Sequence, residues 1–385
     1  MAGEEHAVLT GDVFLDGTGA ALRALGLRPV INAAATLTRL GGSLMAPGVV
    51  AAMTEGSRHF VDLPALQRAV GERIARLTNN EAAYVSSGAA AGIVVSVAAC
   101  LAGTDPGRIA GFPSLHGFEK TEVIVQRAQR NGYDYAIRQT GATLVEIDGT
   151  AEALDSTITD RTGAVVVFAG ERLAAGALPT ERVIEIAHRH NVPVIVDAAA
   201  QIPPISNLWH FTRDLGADIA IFSGGKGLRG PQSTGLVLGR AGLIEGCIAN
   251  GSPNASIGRP LKVGKEELFG ILAAVERSLA QDEPATIARY EEIVAGWLTG
   301  LQDLPGVAVE RAFPSEAGQP HAWLIVRLGK GAVLDRDTVV AALWDCDPRI
   351  AVWPLGEDGF ALNPQTLEDG EDVIVLDAIL ALLST

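Results

Sequence analysis

The chain has 385 residues, of which 48% are hydrophobic and 19% are charged, and its formal net charge is −15. This apolar content excludes a mainly disordered chain, and the negative charge disfavours binding to nucleic-acid phosphates. The length predicts two or three domains. The acidic start MAGEEHAVLTGD lacks the basic and apolar regions of a signal peptide, which predicts a cytoplasmic protein with no membrane partner.

Short apolar runs alternate with helical segments between about residues 81 and 240. The runs AAYVSS, ATLVEI, AVVVFA, VPVIVD, ADIAIF and TGLVLG are nearly continuous in apolar residues, as expected for strands buried on both faces. Segments such as TERVIEIAHRHN carry one apolar helical face. This alternation predicts an α/β fold with a doubly wound, mainly parallel sheet and a ligand at the carboxyl ends of its strands.

A different pattern begins near residue 261. The segments KEELFGILAAVERSLA and ATIARYEEIVAGWLTGLQDL read as amphipathic helices, and short strands and two further helices follow. We predict an N-terminal arm (1–50) that contributes to the active site, a large domain (51–258) and a smaller α+β domain (259–385), on which N-terminal residues pack. The Gly/Ser/Pro-rich stretch 250–260 marks the boundary as a loop.

Three features follow successive predicted strands. SSGAAAG (86–92) joins a strand to a helix through small residues, so that backbone N–H groups at a helix N-terminus can approach an anion. Asp197 directly follows the strand VPVIV, and Lys226, one of five lysines, lies among glycines after the strand ADIAIF. A tightly packed helix start, an N-cap and a solvated loop lysine are the respective structural alternatives.

The three features together are what pyridoxal phosphate requires. A lysine forms a Schiff base with this cofactor, a carboxylate keeps its pyridinium nitrogen protonated, and backbone amides with a hydroxyl bind its phosphate. The three cysteines are far apart, and the histidines show no ligand spacing, so we predict no metal site.

The order of anion loop, Asp197 and Lys226 resembles that of the fold-type I pyridoxal-phosphate enzymes, which have the aspartate aminotransferase fold. The segments INAAATLTRLGGS, SSGAAAG, NGYDYAIRQTGATLVEI, VDAAAQ, SGGKGLRGPQSTGLVLG and GRPLKVGKEEL are similar to the selenocysteine synthase-like family, and most to its D-glucosaminate-6-phosphate ammonia-lyase branch. The likeness covers nearly the whole chain. It implies a homodimer or higher homo-oligomer with shared active sites.

The resemblance also implies roles for individual residues. Lys226 would be the Schiff-base lysine and Asp197 the partner of the pyridinium nitrogen. His116 would stack on the cofactor, unless it is an ordinary loop histidine. The remaining cofactor-binding residues would be Ser87, Gly88, Ala89, Ala90, Ala199, Gln201 and Ser223.

One departure from the family concerns substrate binding. Selenocysteine synthase has an arginine near its start where this chain has Gly42, and we expect no counterpart of its tRNA-binding N-terminal domain. Both differences, together with the net charge, argue against selenium transfer to seryl-tRNA. Arg259 and Lys262 would hold a substrate anion, or Arg259 would form a structural salt bridge with Glu266. The substrate-binding candidates are Asn32, Arg39, Gly42, Arg259, Lys262 and Arg349.

The leading functional hypothesis is a lyase that acts on a small molecule. It would convert a β-hydroxy α-amino acid, such as D-glucosaminate or its 6-phosphate, to a 2-keto acid and ammonia. An amino-acid racemase, an aldolase or an aminotransferase would use the same chemistry at the α-carbon. A non-catalytic regulator that binds pyridoxal phosphate is the alternative from another class.

Overall fold

A computed structural model describes residues 19–384, which form two compact units. The larger unit consists of Gly41–Ile287 and Pro314–Pro320. The smaller unit consists of the described residues up to Leu40, Ala288–Phe313 and the residues from His321 onward. No helix in residues 19–384 is long and apolar enough to cross a membrane.

The strands of the described residues are numbered in chain order. They are β1 (Val30–Asn32), β2 (Ala82–Ser86), β3 (Glu122–Gln126), β4 (Thr143–Ile147), β5 (Thr162–Phe168), β6 (Val194–Asp197), β7 (Ile219–Ser223), β8 (Gly235–Gly239), β9 (Val307–Ala312), β10 (Trp323–Leu328), β11 (Arg349–Ala351), β12 (Trp353–Leu355) and β13 (Gly359–Leu362).

The longer α-helices are numbered in the same way. They are α1 (Pro47–Ser57), α2 (Leu63–Leu77), α3 (Gly88–Ala102), α4 (Thr180–Arg189), α5 (Ala241–Asn250), α6 (Lys265–Ala280), α7 (Glu283–Leu301), α8 (Arg336–Asp345) and α9 (Glu371–Leu383). Shorter helical segments are Ala20–Ala24, Thr38–Leu40, Pro106–Gly111, Arg127–Gln129, Gly132–Asp134, Tyr135–Arg138, Ala151–Thr157, Glu171–Ala174, Asn207–Trp209, His210–Asp214 and Pro364–Thr366.

A seven-stranded sheet with the strand order β2-β8-β7-β6-β5-β3-β4 forms the centre of the larger unit. Strands β3 to β7 pair in parallel, whereas β8 is antiparallel to both of its neighbours. Alternate residues of each strand enter two apolar cores, one on each face of the sheet. This burial on both faces explains the continuous apolar runs and confirms the predicted α/β fold.

Strand β3 is the strand of the seven-stranded sheet that the sequence pattern missed. Only three apolar residues lie between Glu122 and Gln126. This apolar run is shorter than those of the strands that the pattern predicted. Gln126 is nevertheless fully buried, because its side chain accepts a hydrogen bond from the N–H of Leu178 and donates one to the carbonyl of the same residue. A satisfied polar side chain thus replaces an apolar one in this strand. Lys120, which lies just before β3, donates to the Thr162 carbonyl.

The division into units differs from the expected boundary at residues 258 and 259. Helix α6 has the bounds of the predicted segment KEELFGILAAVERSLA, but it belongs to the larger unit. Its buried side chains, among them Leu268, Ile271 and Val275, are part of the core on one face of the seven-stranded sheet. Amphipathic pattern identifies a helix but not the surface that it covers, so the unit boundary falls later, inside α7.

The smaller unit contains a four-stranded antiparallel sheet with the order β12-β13-β10-β9. Strand β1, from the N-terminal part of the chain, pairs in parallel with β11. The first 18 residues of the predicted N-terminal arm lie outside the described part of the chain. The core of this unit is apolar and is built around Trp297, Leu324 and Phe360.

His321 is a buried titratable group in the smaller unit. Its ring is fully buried, its Nδ1 lies 3.0 Å from the carbonyl oxygen of Ala322, and its Nε2 has no partner among residues 19–384. Burial lowers the pKa of His321, while the contact with Ala322 and the charge of Glu291 oppose this shift. The folded protein therefore favours the neutral imidazole.

We expect His321 to make the free energy of unfolding depend on pH. The unfolded chain binds the proton below about pH 6.5 and the folded chain only at lower pH, so stability is lost as the pH falls through this window. Urea unfolding at a series of pH values measures this loss, which is at most about 1.4 kcal/mol per pH unit. His321→Gln should flatten the dependence. The control His59→Gln, at an exposed ring, should keep the wild-type slope, and equal slopes in both variants would contradict the assignment.

Candidate active site

The carboxyl ends of β6 and β7 lie side by side in the larger unit. Strand β6 ends at Asp197, which pairs in register with Ile221, and β7 ends two residues later at Ser223. The turn after β6 is tied to β7, because the N–H of Ala198 donates to the Ile221 carbonyl and the N–H of Ser223 donates to the Ala199 carbonyl. Residues that follow the two strands are thus held at one edge of the sheet, where ligands of α/β proteins bind.

Asp197 is a buried carboxylate at this edge, with 8% of its surface exposed. Its Oδ1 accepts a hydrogen bond of 3.1 Å from the N–H of Ala199, and it forms no salt bridge within residues 19–384. Burial raises the pKa of Asp197, and the Ala199 hydrogen bond and the Lys226 ammonium oppose this shift. A buried carboxylate of this kind is stabilised by a cationic partner.

Lys226 lies in a turn that packs closely against the segment after β6. A Cβ atom on Gly227 would lie 2.1 Å from the carbonyl oxygen of Ile202, so only glycine permits this approach. The turn is closed by a hydrogen bond of 2.9 Å from the N–H of Arg229 to the Lys226 carbonyl. The glycines around Lys226, which the sequence showed as a loop, therefore bring the lysine beside the end of β6.

The surroundings of Lys226 lower the pKa of its amine. Burial lowers the pKa of Lys226, whereas the carboxylates of Asp197 and Glu316 raise it. The effects of Asp197 and Lys226 on each other show that the two predicted residues share one electrostatic environment. A partly desolvated lysine is more readily neutral, and hence nucleophilic and basic, than an exposed one.

Ser43, which no local sequence pattern marks as a site residue, fixes the lysine turn from the N-terminal side. Its N–H and its hydroxyl both donate to the Gly225 carbonyl at 3.0 Å, and the hydroxyl also lies 2.7 Å from the Lys226 carbonyl oxygen. The adjacent Gly42 has a φ of 76°, and a Cβ on it would lie 2.3 Å from the Gly225 oxygen. The structure thus leaves no room for an arginine side chain at position 42.

The start of α3 provides hydrogen-bond donors. The first N–H groups of a helix have no partner within it, and the N-cap residue Ser87 makes no capping hydrogen bond. The amides of Gly88, Ala89 and Ala90 are therefore donors at a helix N-terminus that favours an anion. No atom lies within 4 Å of the position that a Cβ on Gly88 would take, so this helix start is accessible to a ligand.

The other residues expected at the cofactor have distinct surroundings. Ala199 and Ser223 are joined by the backbone hydrogen bond between β6 and β7. Gln201 is buried, and its Nε2 donates to the Ala317 carbonyl at 2.8 Å. His116 is exposed in a turn closed by a hydrogen bond from Phe118 to Leu115.

The candidates for substrate binding in the larger unit are Arg259 and Lys262. Both side chains are exposed in the segment before α6. Glu266, which the sequence offered as an alternative salt-bridge partner of Arg259, pairs at 2.6 Å with its neighbour Lys265. Both cations remain accessible to an anion.

The smaller unit contains the other three candidates. Asn32 uses its side chain locally, because Oδ1 accepts from the N–H of Ala34 and Nδ2 donates to the Ala35 carbonyl. Arg349 donates to the Trp344 carbonyl and lies over the Trp344 ring. Arg39 is exposed and lines a groove of about 400 Å³ with apolar walls.

Comparisons with known proteins agree with this site. Residues 121–252 match the aminotransferase class-V family. The chain is 32% identical over 377 residues to a 5'-C-glycyluridine monooxygenase-decarboxylase of Streptomyces sp, covering 91% of this chain and 89% of that protein. It is 31% identical over 364 residues to D-glucosaminate-6-phosphate ammonia lyase of Salmonella typhimurium, covering 91% and 95%. A solved D-glucosaminate-6-phosphate ammonia-lyase structure superposes with a TM-score of 0.81 at 28% identity, covering 95% of this chain and 99% of the other.

Fold, site and comparisons together define a pyridoxal-phosphate-dependent enzyme of fold type I, with an aminotransferase class-V domain. Within this class, the chain belongs to the selenocysteine synthase-like family that includes D-glucosaminate-6-phosphate ammonia lyase. The resemblance read from the sequence is thereby confirmed.

The residues present fit pyridoxal phosphate. The buried carboxylate of Asp197 suits a protonated ring nitrogen, the open start of α3 suits a phosphate, and the partly buried amine of Lys226 suits a Schiff base. Within residues 19–384, no group of three or more His, Cys, Asp or Glu side chains is arranged to hold a metal ion.

We expect Gly42→Ala to destabilise the enzyme more than Gly41→Ala. Both glycines have positive φ, so each alanine costs about 1–2 kcal/mol of backbone strain. Only the Cβ at position 42 collides with the Gly225 oxygen, whereas no atom lies within 4 Å at position 41. The collision should add roughly 1–3 kcal/mol, measured by chemical unfolding. Equal losses in the two variants would show that the contact between Gly42 and the lysine turn is unimportant.

Proposed function

We propose that this enzyme is an ammonia lyase that acts on a β-hydroxy α-amino acid derived from a carbohydrate, and that it releases a 2-keto acid and ammonia. The support comes from the ammonia lyase related over 91% of the chain. The names of both relatives also point to amino acids with a carbohydrate part: glucosaminate is itself an amino acid derived from a sugar, and glycyluridine carries a glycyl group on a nucleoside.

The observation that carries this proposal is the pair of Asp197 and Lys226 in one buried electrostatic environment. Bound pyridoxal phosphate supplies an electron sink for the charge that develops at the substrate α-carbon. Asp197 keeps the ring nitrogen protonated, and the Nζ atom of Lys226 takes the α-proton. Burial favours the neutral amine that this step needs.

The remaining residues bind rather than react. The amides of Gly88, Ala89 and Ala90, with the hydroxyls of Ser87 and Ser223, bind the phosphate of the cofactor. Ala199 and Gln201 would line the ring, and His116 would stack on it. Arg259 and Lys262 are the best candidates for a substrate carboxylate or phosphate, because both are exposed. Asn32, Arg39, Gly42 and Arg349 complete the set of substrate-binding candidates.

The enzyme is also proposed to be a homodimer or a higher oligomer with shared active sites. Five large apolar side chains are exposed between residues 44 and 61, and that of Phe60 is completely exposed. Apolar residues grouped in this way are typical of a surface that another protein covers. The five residues are Leu44, Met45, Val50, Phe60 and Val61.

We further propose that the enzyme acts in the cytoplasm. All three cysteines are free thiols, as is usual for proteins of a reducing compartment. Two of them, Cys100 and Cys247, are surrounded by apolar residues of the core between the sheet and helices α3 and α5.

The proposed reaction is tested with a panel of D- and L-amino acids, with and without a β-hydroxyl or a phosphate group. We expect equimolar 2-keto acid and ammonia from a β-hydroxy amino acid, and no product from folded Lys226→Ala. Borohydride reduction should attach the cofactor to the peptide that contains Lys226.

Other products would replace the proposal. Release of carbon dioxide in the presence of oxygen would favour the activity named for the Streptomyces relative. Inverted substrate, an aldehyde, or an amino group transferred without free ammonia would indicate a racemase, an aldolase or an aminotransferase.

We expect Asp197→Asn to retain the fold and the cofactor but to lose turnover by on the order of a hundredfold or more. An amide cannot hold the ring nitrogen protonated, so the electron sink is weakened. Steady-state kinetics with the substrate found in the panel measures the loss. Asp214→Asn removes a carboxylate that is exposed in the same unit and should leave turnover unchanged. Full activity of the Asp197 variant would assign this residue a purely structural role.

A further inference from the structure

Gln129 is a buried polar side chain at the carboxyl edge of the seven-stranded sheet. Strand β3 ends at Gln126, and the short helical segment Arg127–Gln129 follows it directly. Only 3% of Gln129 is exposed, and its Oε1 accepts a hydrogen bond of 3.2 Å from the N–H of Phe168, the last residue of β5. The side chain is therefore fixed to the end of the neighbouring strand.

The end of β5 lies directly beside Asp197. Phe168 is opposite Asp197 in the parallel pairing of β5 and β6, and the N–H of Ala169 donates to the Asp197 carbonyl at 2.9 Å. Neighbouring strands are about 4.8 Å apart, so a single strand spacing separates the residue that holds Gln129 from the end of β6. Gln129 thus belongs to the edge of the sheet at which ligands of α/β proteins bind.

The amide nitrogen of Gln129 is a free hydrogen-bond donor. Within residues 19–384, Nε2 of Gln129 has no hydrogen-bond partner, and this atom is not sealed from solvent. Two other buried glutamines of this region, Gln126 and Gln201, both donate from Nε2 to backbone carbonyl groups. Buried polar side chains are nearly always hydrogen-bonded, so a free donor on so deeply buried a side chain indicates a bound partner.

The arginines on either side of this glutamine are engaged elsewhere. Arg127 pairs with Asp148 at 2.5 Å, and Arg130 pairs with Asp134, also at 2.5 Å. Their charges are balanced by carboxylates, and Gln129 between them contributes an uncharged donor.

The order of the strands determines which part of the cofactor would face Gln129. The phosphate would bind at the start of α3, which follows β2, and the ring nitrogen at Asp197, which ends β6. In the sheet, β2 lies on one side of β6, whereas β5 and β3 lie on the other. Pyridoxal phosphate carries its phosphate arm and its ring oxygen on opposite sides of the line that joins the ring nitrogen to the carbon bonded to lysine. With the phosphate towards β2, the ring oxygen would point towards β5 and Gln129.

We propose that Gln129 is a further cofactor-binding residue, whose Nε2 donates a hydrogen bond to the ring oxygen of pyridoxal phosphate. This inference rests on the cofactor contacts in the proposed function, those of Asp197 and of the start of α3. The ring oxygen carries an unbalanced negative charge when the linked Nζ of Lys226 has no proton, and the donor stabilises this charge. When Nζ is protonated, its own proton reaches the same oxygen, and the contribution of Gln129 is smaller. Gln129 therefore makes it easier for Nζ to lose its proton.

The test is an absorbance titration of the full-length holoenzyme without substrate, because the colour of the cofactor linked to Nζ of Lys226 reports protonation of that nitrogen. Gln129→Leu removes the donor and should raise the midpoint by roughly half to one pH unit, a three- to tenfold change in proton affinity. It should also raise the Kd of the apoenzyme for pyridoxal phosphate roughly two- to tenfold, as the loss of one hydrogen bond does. The carboxylates that raise the pKa of Lys226, those of Asp197 and Glu316, are unchanged in this variant.

A second variant, Gln129→Glu, separates the donor from the anchor at β5. Its side chain keeps an oxygen that can accept from the N–H of Phe168, but it has no donor in place of Nε2. Its negative charge also opposes that of the ring oxygen, so the midpoint should rise further than in Gln129→Leu.

The matched control is Gln126→Leu. Gln126 is a buried glutamine at the end of β3, and both ends of its amide bond to the backbone of Leu178. Its loss should lower the free energy of unfolding but leave the titration midpoint unchanged. An unchanged midpoint in both Gln129 variants, or an equal rise in Gln126→Leu, would overturn the inference. A raised midpoint in the Gln129 variants, with products other than keto acid and ammonia, would retain the contact of Gln129 with the cofactor and reject the lyase reaction.

Discussion

Close backbone contact around the lysine turn is the constraint on which the rest of the site depends. Gly227 of this turn packs against the Ile202 carbonyl, and the Gly225 carbonyl of the turn packs against Gly42. A Cβ atom on Gly227 or on Gly42 would collide with the facing carbonyl oxygen. Ser43 adds hydrogen bonds to two carbonyls of the turn. Because these contacts involve the main chain, the position of Lys226 is set by packing rather than by its own flexible side chain.

The electrostatics of the site follow from this position. A lysine held beside the end of β6 is partly desolvated, and it is near a carboxylate that is buried by the same packing. Burial moves the two pKa values towards the neutral forms, while the attraction between the charges opposes both shifts. The site therefore holds an amine and an acid whose protonation depends on what binds between strand ends and helix α3. Pyridoxal phosphate has a ring nitrogen that suits the carboxylate of Asp197 and a phosphate that suits the N–H groups at the start of α3.

Sequence reasoning was most successful where the decisive interactions are local. Asp197 ends one buried apolar strand and Lys226 lies three residues after another, so both could be expected at the carboxyl edge of the sheet, where the structure has them; their roles stay predictions. Helix α6 was predicted with the bounds that the structure has, since its apolar spacing is regular. Strand β3 was missed because Gln126 is buried in a place where the pattern requires an apolar side chain.

The sequence by itself determined the parallel α/β sheet, the residues at its carboxyl edge and, through the motif around Lys226, the cofactor class. Periodicity and strand ends are properties of neighbouring residues, so one chain suffices to read them. Only the tertiary structure decided that α6 belongs to the larger unit and that Ser43 fixes the lysine turn. Each of these depends on contact between segments far apart in the chain, and such contact leaves no local pattern from which it could be predicted.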